Sequence, residues 1–193
     1  MRKFALIIIV AVIPIMQSFS WTESIFGTCY DSVASLEKRE KMLDNMQQMS
    51  KKGISRKCLA NIFDLTVMLS SEYQNNLVTM LALMATESNF YYKADSCLGA
   101  KYGRGIMQVS EKALQDYNKW NGTKYKPNDL YNLEVNLRIG FWVFNHNEKY
   151  GIPKNDLKKS LSAYNLGAGK VRSGKIAHNY VAKVSMKAQK IWA

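Results

Sequence analysis

The sequence predicts a mainly α-helical protein with a single domain. Apolar residues recur at helical spacing in several separate segments, and residues that favour helix ends stand between these segments. We find no convincing β-rich run, no internal repeat and no low-complexity linker. At 193 residues the chain is large enough to bury one core without crosslinks. These observations together favour one helical domain.

The first third of the chain contains two segments whose helical patterns differ in clarity. Residues 21–54 are polar, and their apolar positions are only loosely periodic before the segment ends at Gly53, so we expect one or two helices there. A clearer helical pattern follows at Leu59, Ile62, Phe63 and Thr66.

Another helix is expected from about residue 72 to residue 88. Ser71, with Gln74 three residues later, has the form of a capping box at its start. Its apolar face is formed by Leu77, Met80, Leu81 and Met84. Glu87 is the next position on that face, so this helix directs a carboxylate towards the interior.

The middle of the chain predicts a loop followed by two helices. Residues 91–105 are rich in glycine and tyrosine and form a loop or a short irregular hairpin. Ser110 is placed to cap a helix that reaches about residue 117, and a turn follows at Asn121 and Gly122. Either Asp129 or Asn132 opens the longer second helix.

Two further helices are expected after Pro153. The first begins at Asn155 or Asp156 and ends at Gly167 and Gly169, which permit positive φ. The last begins at about residue 176. Its apolar positions are Tyr180, Val184, Ala188 and Ile191.

Glu87 is the candidate catalytic residue. A carboxyl group partly removed from water has its charged form disfavoured, so its pKa rises and it can hold a proton near neutral pH. A general acid needs this property. Most glutamates near helix ends are solvated, so the hypothesis depends on the motifs that follow Glu87 in the chain.

Six pieces of sequence carry a resemblance. They are Glu87-Ser88-Asn89-Phe90; Ala94 with Ser96 and Gly99-Ala100; Gly105-Ile106-Met107-Gln108; Asp129-Leu130 with Asn136 and Gly140; Ala163-Tyr164-Asn165 with Gly167 and Gly169; and Tyr180-Val181 with Val184. In this order they resemble the signature of the soluble lytic transglycosylases, relatives of goose-type lysozyme. The resemblance covers about residues 72–193 and implies a mainly α, lysozyme-like fold.

The resemblance also implies a reaction on the glycan strand of peptidoglycan. The β-1,4 bond between N-acetylmuramic acid and N-acetylglucosamine is cleaved, and 1,6-anhydro-muramoyl ends are formed. Glu87 serves first as acid and then as base, while the 2-acetamido group of the substrate replaces the second carboxylate that most glycosidases use. No second acid stands out in the sequence, since the nearest downstream candidates, Asp95 and Glu111, are expected to be structural or solvated.

Six substrate-binding residues are implied in the same way. They are Ser88, which supports Glu87 and the sugar; Met107 and Gln108, which line the cleft; Tyr164 and Asn165, which hydrogen-bond the reacting sugar; and Tyr180, which closes the site from the last helix. For Met107 and Tyr164, packing in the core is the alternative.

One loop departs from the family pattern. Lys101, Tyr102, Gly103 and Arg104 stand where many members have a single residue between the Gly-Ala pair and the next motif. The longer turn is similar to that of the small transglycosylases that accompany secretion systems. A secretion or envelope-spanning assembly is therefore a candidate partner.

The first residues have the form of a secretory signal peptide. Arg2 and Lys3 precede an apolar stretch at 4–16, and Ser18-Phe19-Ser20 follows, with small residues where a signal peptidase would read them. An apolar stretch of this length is too short to span a bilayer comfortably, although an uncleaved anchor is the alternative. We expect a signal peptide at 1–20, a helical segment of unknown role at 21–54 and a catalytic domain at 55–193, exported to the periplasm or cell envelope.

The spacing of the cysteines and histidines does not indicate a metal site. Export allows two of Cys29, Cys58 and Cys97 to form a disulfide, and all three pairings stay open. Neither His146 nor His178 shares a short ligand spacing with a cysteine or with the other histidine. We therefore expect neither a metal nor a cofactor.

The charge of the chain favours an anionic partner. The formal net charge is +12, or +10 without Arg2 and Lys3, and from Pro153 onward nine Lys or Arg accompany one acid, Asp156. Export argues against nucleic acid, and so does the lack of a run of aromatic residues interleaved with the basic ones. We therefore expect a monomer whose partner is peptidoglycan. The alternatives are a lysozyme-type hydrolase, which requires a second carboxylate, and a non-catalytic wall-binding protein.

Overall fold

The computed structural model of the protein describes residues 33–153 and 155–193. The expected signal peptide and Cys29 lie outside the described residues. The chain divides into two units, residues 1–39 and residues 40–193. Of the first unit, residues 33–39 are described, and they belong to a helix that continues into the second unit. None of the described helices is long and apolar enough to cross a membrane.

The described residues are mainly helical, as the sequence predicts. The α-helices are α1 Val33–Met49, α2 Arg56–Tyr73, α3 Leu77–Ser88, α4 Glu111–Asn121, α5 Leu133–His146, α6 Leu157–Leu166, α7 Ala168–Arg172 and α8 His178–Trp192. Short 3₁₀ helices lie at Ala100–Tyr102, Pro127–Tyr131 and Asn147–Tyr150. Two isolated β-bridges, Asp95 to Arg104 and Arg104 to Val109, hold the glycine-rich loop in an irregular hairpin.

Short polar side chains fix the start of most of these helices. Ser110, Asn132 and Asp156 each accept a hydrogen bond from the backbone N–H three residues later, at 3.2, 3.1 and 2.9 Å respectively. Each bond satisfies one of the N–H groups that a helix start leaves without an internal partner. The expected N-caps are therefore confirmed, with Asn132 and Asp156 selected from the two pairs of candidates.

The expected start of the Glu87 helix is wrong. Ser71 lies inside α2, and Gln74 ends that helix in the left-handed conformation with φ 53°. The N-cap of α3 is instead Asn76, whose side chain accepts a 3.0 Å hydrogen bond from the N–H of Thr79. The chain therefore changes direction between α2 and α3, where one continuous helix from about residue 72 was predicted.

Helix α3 is the centre of the core. All residues from Met80 to Ala85 are buried, so α3 is covered on nearly every side and is not simply amphipathic. It packs mainly against α8 and also against α2. A helix held on all sides presents its last residues, including Glu87, in a fixed position.

Residues 40–54 are part of the same packed unit as the rest of the chain. Met42, Leu43 and Met46 are buried in the main core cluster. The backbone N–H of Lys51 also donates a 2.9 Å hydrogen bond to the carbonyl of Asn89, directly after α3. The boundary that we placed between residues 54 and 55 therefore falls inside the unit 40–193.

The region after α6 differs from the prediction in detail. Gly167 ends α6 with φ 87°, as expected. Gly169, however, lies within the short helix α7, which the sequence pattern did not indicate. The last helix begins at His178, two residues after the expected position.

Candidate active site

Glu87 lies in the last turn of α3, where the buried helix meets a cleft. The helix ends at Asn89 with φ 48°, and Phe90 follows with φ 63°. Positive φ is costly for residues other than glycine, and the complete burial of the Phe90 side chain holds this conformation in place. The turn therefore ends α3 at Ser88 and keeps the Glu87 carboxyl at the wall of the cleft.

Burial dominates the protonation of Glu87. It raises the pKa of this carboxyl from 4.5 to about 7, while the hydrogen bond from Tyr180 and the positive charge of Lys187 act in the opposite direction. The Tyr180 hydroxyl donates to Oε1 of Glu87. Glu87 is thus a carboxyl group that holds a proton in a substantial part of the molecules at neutral pH.

Lys187 connects helix α8 to the end of α3. Its Nζ donates hydrogen bonds to the backbone carbonyl of Ala85 and, at 3.1 Å, to Oδ1 of Asn89. Partial burial lowers the pKa of Lys187, and the charge of Glu87 opposes that effect. A cation at the C-terminal end of α3 also complements the helix dipole.

The cleft beside Glu87 has a volume of about 560 Å³. Gln108, Tyr164 and Asn165 line it together with Glu87. The Tyr164 hydroxyl donates a 2.7 Å hydrogen bond to the backbone carbonyl of Met107, and its burial raises the pKa of Tyr164 well above the usual value, so the phenol stays protonated. Asn165, next to it, is exposed and lines the cleft, and within residues 33–153 and 155–193 its side-chain amide has no hydrogen-bond partner.

The turn that carries Met107 and Gln108 is fixed by Asn136 of α5. Oδ1 of Asn136 accepts from the N–H of Met107 at 2.9 Å, and Nδ2 donates to the carbonyls of Arg104 and Leu130, both at 2.8 Å. The amide is completely buried, so these bonds replace those that water would make. The turn also requires Gly105, since a Cβ there would lie 2.3 Å from Nδ2 of Asn136.

Two of the expected substrate-binding side chains point into the protein. Met107 is 0% exposed, and its Sδ would lie 2.3 Å from a Cβ at Gly140, so this side chain packs in the core and does not line the cleft. The Ser88 hydroxyl donates a 2.8 Å hydrogen bond to the carbonyl of Ile106 and a 3.2 Å bond to that of Met84. Ser88 therefore ties α3 to the 105–108 turn.

The remaining expected residues are brought together near Glu87. Gln108 has φ 50°, and its Nε2 donates to the carbonyls of Ala94 and Gly105 at 3.1 and 2.9 Å, so its amide braces the 105–108 turn at the cleft wall. Tyr180, from α8, contacts Glu87 directly and also lines an adjoining cavity of about 490 Å³ with Asn165. The structure thus places Tyr180 in contact with the Glu87 carboxyl, and Gln108, Tyr164 and Asn165 in the lining of the same cleft.

The other acids near the cleft have partners of their own. Asp95 accepts a 2.5 Å hydrogen bond from the Tyr131 hydroxyl, and Glu111 forms a 3.0 Å ion pair with Arg104. Asp116 lines the cleft and pairs with Lys112 of the same helix. Among the residues that the structure describes, Glu87 is the cleft acid with the strongly raised pKa.

Sequence reasoning assigned no role to Asn136 or Lys187. Asn136 belongs to the quoted motifs, but the burial of its amide between three backbone groups depends on elements that are distant in the chain. Lys187 lies seven residues after Tyr180 on the same helix face, and that spacing was an available signal. The aromatic residues Trp142 and His146, which also line the cleft, were missed as well.

Two of the three cysteines, Cys58 and Cys97, lie among the described residues. Cys58 and Cys97 are not joined to each other by a disulfide. Within residues 33–153 and 155–193, no three His, Cys, Asp or Glu side chains are grouped closely enough to hold a metal ion.

Comparison with known proteins identifies the fold and the family. The structure is similar to an inactive mutant of the lytic transglycosylase Slt from Pseudomonas aeruginosa, with a TM-score of 0.51 and 19% sequence identity. That match covers 67% of this chain, which in turn spans 22% of the other protein, and it shows a shared mainly α, lysozyme-like fold. A search of curated proteins finds no match. Residues 64–184, more than half of the chain, match the transglycosylase SLT domain, and the chain therefore belongs to that family.

Proposed function

We propose that this protein is a peptidoglycan lytic transglycosylase. It cleaves the β-1,4 bond between N-acetylmuramic acid and N-acetylglucosamine and leaves 1,6-anhydro-muramoyl ends. The observation that carries the proposal is Glu87, a carboxyl at the cleft wall whose pKa is raised to about 7 and which Tyr180 holds by a hydrogen bond. Membership of the SLT family supports the same assignment.

In the first step, protonated Glu87 gives its proton to the bridging oxygen. The bond between that oxygen and the anomeric carbon of the muramoyl unit breaks as the oxygen of the 2-acetamido group bonds to the same carbon. A leaving group protonated in this way departs as a neutral alcohol, which is why a carboxyl with a pKa near the working pH is effective. Glu87 is left as a carboxylate, and the hydrogen bond from Tyr180 stabilises its charge.

In the second step, the Glu87 carboxylate removes the proton of the muramoyl C6 hydroxyl. The C6 oxygen bonds to the anomeric carbon and displaces the acetamido oxygen, which restores the acetamide and returns Glu87 to its protonated form. The acids near the cleft support a route that uses one carboxyl, because Asp95, Glu111 and Asp116 are each held by a protein partner. Water takes no part, so the bound strand must fill the cleft.

We assign the neighbouring residues to binding and orientation. Asn165, exposed beside Glu87, donates to and accepts from the acetamide, as a side-chain amide can. Gln108 and Tyr164 shape the wall against which the sugar rests, and Tyr180 closes the site and positions Glu87. Ser88 supports the site through the 105–108 turn, and Met107 does so through the carbonyl that Tyr164 contacts.

The same proposal includes export to the periplasm or cell envelope, where the substrate lies. The basic residues after Pro153 favour a wall polymer with free carboxylates. The long turn around Lys101–Arg104 favours a role beside a secretion or envelope-spanning assembly.

Mass spectrometry of the fragments that the protein releases from purified peptidoglycan tests this function. We expect anhydro-muramoyl ends from the natural chain and no release from Glu87→Gln, with Glu37→Gln, at an exposed site of α1 that does not line the cleft, as an active control. Reducing ends, heavier by one water, would identify a hydrolase. Binding of the natural chain to sacculi without release would identify a wall-binding protein.

A further inference from the structure

Helix α8 begins without a side-chain cap of its own. His178 is its first residue, and the preceding Ala177 has no side chain that could accept from the helix start. The chain reaches this point through a turn after α7 in which Gly174 has φ 90°. The first turn of α8 is poorly covered as well, because His178 and Asn179 are exposed and the first buried residue of the helix is Val184. The position of this turn therefore depends on the few contacts that neighbouring elements make with it.

Ser162 of α6 provides such a contact. Its hydroxyl accepts a 3.1 Å hydrogen bond from the backbone N–H of Ala177 and donates a 2.7 Å bond to the carbonyl of Lys158, one turn earlier in α6. A serine hydroxyl has one proton to donate and two lone pairs, so it makes both bonds at once. The Ser162 side chain is 0% exposed, so water does not replace it as the partner of Ala177. Helix α6 thus holds the residue directly before α8.

The bond joins the two helices that bring residues to Glu87. Asn165 follows Ser162 within one turn of α6, and Tyr180 follows Ala177 within one turn of α8. The Tyr180 hydroxyl donates to Oε1 of Glu87. A cavity of about 490 Å³, lined by Asn165, Ala177 and Tyr180, lies at this junction. Packing alone therefore leaves the first turn of α8 room to move.

The rest of α8 is anchored independently of Ser162. Nζ of Lys187 donates to the carbonyl of Ala85 and, at 3.1 Å, to Oδ1 of Asn89. Val184 is buried in the main core cluster. A shift at the start of α8 therefore displaces the first turn and leaves Lys187 in place.

We propose that Ser162 is a positioning residue for the acid: its hydroxyl fixes the first turn of α8 and so keeps the Tyr180 hydroxyl on the Glu87 carboxyl. A hydrogen bond weakens steeply when distance and angle depart from their optimum, so a small displacement of this turn is enough to matter. Ser162 lines neither the cleft nor the adjoining cavity and acts through Tyr180. Its importance for catalysis rests on the proposed function, in which Glu87 is the acid.

The expected effect on Glu87 has a definite sign. The described groups that act on the charge of Glu87 come from two helices: Tyr180 and Lys187 of α8, and Tyr164 of α6. The hydrogen bond from Tyr180 lowers the pKa of Glu87 against the larger effect of burial. Loss of the Ser162 hydroxyl weakens that bond, while Lys187 and Tyr164 keep hydrogen bonds of their own. The pKa of Glu87 should therefore rise.

Helix α6 also contains a matched control. Ser160 is 4% exposed, and its hydroxyl donates to the carbonyl of Pro153. The test compares Ser162→Ala with Ser160→Ala. A further variant, Ala177→Pro, removes the same hydrogen bond from the donor side, at a φ of −83° that suits proline. Tyr180→Phe, which deletes the hydroxyl itself, is the reference.

The pKa of Glu87 is measured by NMR titration of isotope-labelled glutamate side chains, and the signal missing from Glu87→Gln identifies it. We expect this pKa to rise by about 1 in Tyr180→Phe, which loses a hydrogen bond to a charged group, and by roughly half as much in Ser162→Ala and Ala177→Pro. Ser160→Ala should keep the pKa of the natural chain. In the Tyr180→Phe background, Ser162→Ala should cause no further rise, since the bond on which it acts is already absent.

Two results would overturn the role of Ser162. One is a Glu87 pKa in Ser162→Ala that does not exceed that of the natural chain. The other is a rise of equal size with and without the Tyr180 hydroxyl, because Ser162 would then not act through Tyr180. Thermal unfolding shows whether each variant folds, and if Ser162→Ala does not, Ala177→Pro decides by the same criteria.

The titration needs no substrate, so it separates the role of Ser162 from the proposed function. If the natural chain releases no fragments from peptidoglycan, the function falls, while the titration still decides whether Ser162 positions Tyr180. If the natural chain is active, the pH at which kcat/KM falls on the alkaline side should rise in Ser162→Ala by the same amount as the pKa of Glu87. An unchanged pH profile alongside a raised pKa would show that the positioning does not serve catalysis.

Discussion

Replacement of Glu87 by Gln should stabilise the protein at alkaline pH and leave its stability nearly unchanged in acid. The folded chain raises the pKa of Glu87 from 4.5 to about 7 because the carboxyl is largely removed from water. Folding above that pH therefore requires a charge to be placed in a site that favours the neutral form. Gln is a neutral group of the same shape, and its carbonyl still accepts a hydrogen bond from Tyr180.

The magnitude follows from the two pKa values. A carboxyl whose pKa rises from 4.5 to about 7 on folding costs the charged protein about 3 kcal/mol relative to the protonated one. The pKa of Glu87 is higher in the folded protein than in the unfolded chain. The stabilisation that comes from protonated Glu87 is therefore fully present below pH 4.5 and is lost as the pH rises to about 7. For a chain of this size, about 3 kcal/mol corresponds to a change in melting temperature of roughly 6–12 °C.

Thermal unfolding at pH 4.5 and at about pH 8 measures this effect, with Glu148→Gln as the exposed control. At each pH the melting temperature of the natural chain is subtracted from that of the variant. The decisive quantity is this difference at the higher pH minus the same difference at the lower pH. Packing effects of the amide are common to both conditions and cancel. A Glu87→Gln protein with the same relative stability at both pH values would show that burial does not raise the pKa of Glu87, and the argument for a general acid would fail.

Two other substitutions address the supports of the site. Lys187→Met removes a positive charge that lowers the pKa of Glu87, so the pH at which kcat/KM falls on the alkaline side should rise. Lys187→Arg keeps the charge and should leave that pH unchanged. Equal pH profiles for the two variants would show that Lys187 does not affect the pKa of Glu87. Asn136→Ala leaves the N–H of Met107 and two carbonyls without partners in the core, so denaturant unfolding should show that the free energy of unfolding falls by about 2–5 kcal/mol. A fall of less than about 1 kcal/mol would mean that water replaces the amide.

Local sequence patterns predicted most helix starts but misplaced the break between α2 and α3, which was expected at Ser71 and lies at residues 74–76. Ser110, Asn132 and Asp156 cap their helices through bonds within three residues, so short-range chemistry is sufficient to identify them. The break depends on Gln74 in the left-handed conformation, which this residue type does not indicate. Neither glycine nor proline marks the position, but Asn76, which accepts from the N–H of Thr79, is a local cap signal that was missed.

The site was predictable to the extent that its residues have local signals. Glu87 follows from helical periodicity, and Gln108, Tyr164, Asn165 and Tyr180 from the resemblance. The direction of a side chain depends on contacts with distant parts of the chain and could not be predicted in this way. Met107 lies in the core because α5 presents Gly140 to it, and no pattern near Met107 contains that information.

The opposing influences on Glu87 suit a residue that must act twice. A lower pKa gives a stronger acid for bond cleavage, and a higher pKa gives a stronger base for removal of the C6 proton. Burial alone would raise the pKa further and weaken the acid, while Tyr180 and Lys187 alone would lower it and weaken the base. A pKa of about 7 is thus a compromise between the two proposed steps. The acid of a retaining hydrolase also switches from acid to base between its two steps, so this balance suits either reaction, and the chemical form of the released muramoyl ends decides between them.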